Sequence, residues 1–107
     1  MRNPEKLILE TPYGTRDLLP RDAAEMRHME NMLSSLFRSW GYDEVVTPTI
    51  EHLETLAPRV QEENSLFMLL GNKNKILALR NEMTTPIARL VSSRLKDAPA
   101  PLKLSYI

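Results

Sequence analysis

Leu66-Phe67-Met68-Leu69-Leu70-Gly71-Asn72-Lys73-Asn74-Lys75-Ile76-Leu77-Ala78-Leu79-Arg80 is two apolar runs separated by four residues of turn chemistry. Runs of this length around a Gly/Asn loop predict a β-hairpin, with strands over 66–70 and 75–80. Hairpin strands are antiparallel, so what flanks them decides the class of the fold.

Upstream, a helix is predicted from Pro20, whose fixed φ suits a first turn. Met26, Met29, Leu33, Leu36, Phe37 and Trp40 recur at spacings of three and four, one apolar stripe with Trp40 closing it as a core residue. Asp22 and Glu25 favour the positive helix end, and Gly41 supplies the stop. Asp43–Thr47 reads as a short strand closed by Pro48, and residues 52–59 as a short helix. Downstream, Thr85-Pro86 opens a helix to about Leu95, with Thr85 as N-cap and Ile87, Ala88, Val91 and Leu95 on one face. Residues 97–101 form a linker, and Leu102–Tyr106 begins a further strand. Helix, strand, hairpin, helix, strand is an α+β order rather than a regular βαβ repeat. The last strand has no neighbour after it. The chain therefore reads as the front of a larger ligand-binding domain, stopping before its site is complete.

Bulk composition agrees with a folded domain. The chain has 107 residues, 42% apolar and 26% charged, within the range of one domain with a single core. Charge balances at 14 basic against 14 acidic. Residues 1–70 nonetheless carry a net −5 and residues 71–107 a net +5. A basic back end can face an anionic ligand, a nucleic acid or the acidic front end, and mutual neutralisation across one surface is the commonest of the three. With no cysteine and two histidines at unrelated positions, neither a disulfide framework nor a metal site is expected. No apolar run reaches membrane length, and Met1 leads into charged residues, so a cytoplasmic protein without membrane contact is expected.

The chemistry concentrates at Leu79-Arg80-Asn81-Glu82-Met83-Thr84-Thr85-Pro86-Ile87-Ala88-Arg89. A strand hands over to a helix here, and such junctions often line clefts. In extended chain Glu82 and Thr84 point to the same side, a carboxylate and a hydroxyl suited to an ammonium group. Competing uses are an ion pair of Glu82 with Arg80 or Arg89, and a capping role for Thr84. The two arginines could also hold an anion. Gly14–Pro20 lacks the spacing of a phosphate loop, and no nucleophilic triad or zinc motif occurs.

Gly14-Thr15-Arg16-Asp17-Leu18-Leu19-Pro20, a long helix, and Gly41-Tyr42-Asp43-Glu44-Val45-Val46-Thr47-Pro48 resemble the start of the histidyl-tRNA synthetase family. Leu79–Thr84 resembles that family's Leu-Arg-Pro-Glu-Gly-Thr stretch, which touches the amino group of histidine. Asn81 and Met83 depart from it. Residues 83–89 and 99–106 are closer to a paralogous branch, the regulatory subunits of ATP phosphoribosyltransferase. The resemblance implies a class II synthetase-like fold, an antiparallel sheet with flanking helices. Residues 1–107 would be its N-terminal part, ending before the second class II motif. It implies no catalytic residue and no cofactor, Glu82 and Thr84 in a histidine-like pocket, and Pro48 in the motif of the class II dimer interface. It further implies self-association there, a short-form ATP phosphoribosyltransferase catalytic subunit as partner, and histidine as effector in histidine biosynthesis. The alternative it leaves is a catalytic-domain fragment of histidyl-tRNA synthetase, acting on tRNA with ATP.

Overall fold

The computed structural model describes residues 3–59 and 66–107. Residues up to Tyr42, with Ile107, form one compact unit, and Asp43–Tyr106 form a second. Among the described residues, the buried apolar side chains gather in one cluster, within the second unit.

The first unit holds two helices. α1, Pro4–Leu9, is preceded by Asn3, whose Oδ1 accepts the Glu5 amide at 3.1 Å. Asn before Pro is an N-cap signal, and it marks a short helix ahead of the one expected from Pro20. α2, Pro20–Ser39, begins with proline at its first position as predicted. Its end is a Schellman motif. Gly41 donates to the Arg38 carbonyl at 3.0 Å, Tyr42 donates to that of Phe37 at 3.1 Å, and Gly41 sits at φ +82°. The Phe37 and Tyr42 rings meet at 6.4 Å, the apolar contact that accompanies this cap. The apolar stripe is present but uncovered. Met29, Leu36 and Trp40 are exposed and no α2 residue is buried, so Trp40 is not a core residue.

The second unit is built on β4, Ile76–Leu79, the centre of a three-stranded antiparallel sheet ordered β2-β4-β3. β3, Met68–Leu70, pairs with it as the predicted hairpin, Leu69 opposite Leu77. Lys73 and Asn74 in the loop take positive φ, which is where asparagine is better tolerated than most residues. β2, Ile50–His52, was not predicted; it pairs with the other edge of β4, Glu51 opposite Ala78. The expected strand over 43–47 shrinks to β1, Asp43–Glu44, which runs parallel to β5, Leu104–Ser105, in a separate two-stranded sheet. Val46 is exposed and Thr47 buried, because the chain is crossing from one sheet to the other at this point.

α3, Leu53–Leu56, and a 3-10 turn at Ala57–Arg59 occupy the place of the expected short helix. α4, Thr84–Arg94, follows β4. Among the described residues, Leu56, Leu66 and Ala78 form the buried apolar cluster, with Leu53 packed on them. On α4 the fully buried side chain is Pro86, whereas Ala88, assigned to the inner face, is exposed. The other residues of the predicted face, Ile87, Val91 and Leu95, are half-buried.

Candidate functional site

Thr84 is the first residue of α4, so Thr85 is not its N-cap. The residue before it, Met83, has φ −105° and ψ −16° and gives no side-chain cap. A helix start leaves four amides without partners. Glu82 reaches forward and takes two of them. Its Oε2 accepts the Thr84 amide at 2.5 Å, and its Oε1 accepts the Thr85 amide at 3.0 Å. The positive end of the helix favours a carboxylate in this place.

These contacts hold the Glu82 carboxyl below the usual carboxylate range. The Thr85 hydroxyl contributes most; burial opposes it as the next largest effect, and the amides of Thr85 and Thr84 with the Thr84 hydroxyl carry the balance downward. Glu82 is therefore an ionised group with a structural partner. That overturns the same-side argument from extended chain: Met83 is not extended, and Glu82 and Thr84 are joined by a hydrogen bond. A carboxylate has about four acceptor positions, and the threonine amides and hydroxyls compete for them, so an ammonium donor would share Glu82 with the start of its own helix.

Neither arginine pairs with Glu82. Arg80 turns back to the 47–49 segment, where its Nη1 donates to the Thr47 carbonyl at 2.8 Å, the Thr47 hydroxyl at 3.1 Å and the Pro48 carbonyl at 3.2 Å. Arg89 meets Glu51, with its Nε 2.9 Å from Oε2 and its Nη2 donating to Oε1 at 3.0 Å. Both cations are therefore engaged by protein acceptors rather than free for an anion. Pro48 lies in the loop between β1 and β2, exposed, with its carbonyl in the Arg80 contact.

Among the described residues, Thr47 and Glu51, at 5% and 6% exposure, are the buried polar ones. Glu51 sits between Ile50 and His52 with its partner 38 residues away, and nothing local marks it. A cleft of about 480 Å³ opens beside the Glu51–Arg89 pair, between residues 46–52 and the Arg89–Arg94 side of α4. Glu82 and Thr84 do not line it. Among the described residues, no three His, Asp or Glu side chains gather as metal ligands, and no helix is long and apolar enough to cross a membrane.

The family model described as histidyl-tRNA synthetase matches residues 14–107. The chain is 48% identical to an ATP phosphoribosyltransferase regulatory subunit of Symbiobacterium thermophilum over 91% of its own length and 25% of that protein's. It is 46% identical to one from Moorella thermoacetica, over 94% and 26% respectively. A solved structure from Bacillus halodurans, described as an ATP phosphoribosyltransferase regulatory subunit/histidyl-tRNA synthetase, superposes with a TM-score of 0.81 at 40% identity. That match covers 92% of this chain and 26% of the other. The chain spans about a quarter of the length of the curated relatives it matches.

Proposed function

The chain belongs to the histidyl-tRNA synthetase family, and from that premise we propose that it serves as a regulatory subunit of ATP phosphoribosyltransferase. In this reading it is not itself catalytic, is required for activity of a short-form catalytic subunit in the first step of histidine biosynthesis, and binds histidine. Residues 1–107 are the N-terminal part of its class II synthetase-like domain. It works in the cytoplasm and self-associates through the class II interface that includes Pro48. The observation that carries the reading is the 48% identity to a protein of that name across almost the whole chain. The departures at Asn81 and Met83 from the synthetase stretch point the same way.

Within this reading Glu82 and Thr84 form one wall of the histidine pocket. Glu82 is ionised, which suits the amino group of an amino acid. Control then works by linkage: histidine preferring one state of the assembly shifts the catalytic subunit by its difference in affinity for the two states.

Two measurements test this. A short-form ATP phosphoribosyltransferase assayed with and without the full-length protein is expected to be active only in the mixture. Calorimetry with histidine is expected to show affinity that falls by about tenfold or more in Glu82→Gln, the worth of one charge-assisted hydrogen bond. Glutamine retains an oxygen to accept a helix amide, so the fold is expected to survive. Unchanged affinity in that variant removes Glu82 from the pocket. The second reading, a histidyl-tRNA synthetase, is favoured by the description of the matching family model. It requires histidine-dependent exchange of pyrophosphate into ATP, and clear exchange by the full-length protein would replace the regulatory reading.

A further inference from the structure

Arg80 belongs to the stretch that carries Glu82, yet its side chain points away from Glu82 and into the chain that crosses between the two sheets. Its amide donates to the Thr49 carbonyl at 3.0 Å. Its Nη1 spans three more oxygens of Thr47 and Pro48. One residue thus satisfies acceptors on three consecutive residues of a segment that belongs to neither sheet. Thr47 is buried there at 5% exposure, so its carbonyl and hydroxyl have little water to turn to. Beyond Arg80 only Asn81, an exposed residue, separates the staple from Glu82. Glu82 in turn is fixed by the first amides of α4.

We infer that Arg80 is a positioning residue for the Glu82 wall: it staples residues 47–49 to the end of β4, so that Glu82 leaves the strand in one fixed direction. The inference deepens the ligand reading of Glu82 and rests on it for its functional meaning. Its geometric content stands on the four contacts of Arg80. A junction released at Arg80 keeps Glu82 on the amides of α4 but lets that helix start shift against residues 47–49, and a site loosened by about 1 Å loses affinity without losing a single contact residue.

The test uses the full-length protein with histidine as the probe and follows two quantities, histidine affinity by calorimetry and amide exchange in peptides covering 44–52 and 80–88. Arg80→Met keeps the aliphatic stem and removes every side-chain donor. It is expected to speed exchange in both peptides and to weaken histidine by about tenfold or more. Arg80→Lys places an ammonium that can reach the same oxygens, and is expected to stay within about threefold of the parent. That rescue separates positioning from simple loss of bulk. Thr47→Val deletes one of the acceptors at nearly constant shape, and is expected to weaken histidine by about threefold. It carries the test should Arg80→Met not fold.

Affinity unchanged in both Arg80→Met and Thr47→Val would overturn the inference, as would faster exchange confined to 44–52. If Arg80→Met weakens histidine while Glu82→Gln does not, the wall is misassigned and the inference falls with it. If Glu82→Gln weakens histidine and Arg80→Met does not, the ligand reading stands and the staple alone is rejected.

Discussion

Glu82 performs two tasks that compete at the level of a single side chain. Its carboxylate completes the start of α4, and the same charge is what the proposed pocket offers to an amino group. The first task has a pH signature. The folded-state pKa is depressed, chiefly by the Thr85 hydroxyl and the adjoining amides. A group of this kind contributes stability that is fully present above its unfolded pKa and is lost as pH falls through the folded value. The window therefore begins near the ordinary glutamate value of 4.5 and extends below it. Urea unfolding of parent and Glu82→Gln between pH 7 and pH 3 is expected to show a gap that is largest at neutral pH and closes on acidification. A constant gap would mean the carboxylate charge contributes nothing to the helix start. At this scale the sequence was half legible: the junction was identifiable as the chemical centre, but whether Glu82 faced a ligand, an arginine or its own helix depended on two backbone angles at Met83.

The elements are tied together by few side chains, and the Glu51–Arg89 pair is the one that binds α4 to β2. Glu51 is nearly fully buried, while about a third of the Arg89 side chain is exposed. Removing the cation leaves a buried carboxylate with no counter-charge, a loss typically of about 3–5 kcal/mol. Arg89→Met is expected to destabilise the protein by an amount in that range, read by chemical denaturation at neutral pH. A loss below about 0.5 kcal/mol would class the pair with exposed surface ion pairs. Helix stops and the hairpin were legible because their signals are local: Pro20, Gly41, and the Gly/Asn loop between apolar runs. β2 was missed because it has three residues, and its apolar–polar alternation is too short to stand out. What makes it a strand is the free edge of β4, a property of another part of the chain.

For the whole molecule, the balance between covered and uncovered apolar surface is unusual. Buried apolar packing centres on Leu56, Leu66 and Ala78, whereas Met29, Met32, Leu36, Trp40, Phe67 and Leu70 are more than half exposed. Exposed apolar stripes of this kind mark contact surfaces. Residues 1–107 expressed alone are expected to bind the dye ANS and to self-associate as concentration rises. A monodisperse monomer that leaves ANS dark would show that the stripe of α2 is covered within the chain itself. The sequence by itself determined the α+β class, the extent of α2 and its cap, the hairpin, and the stretch where the chemistry gathers. It also carried the family resemblance, because these features are written in neighbouring residues. Only the tertiary structure decided that Glu82 caps α4, that Arg80 turns to Thr47 and Pro48, that Arg89 finds Glu51, and that the Trp40 stripe lies open. Each of these depends on which acceptor or surface a side chain meets in space. Partners 32 to 38 residues apart leave no periodicity in the chain to read.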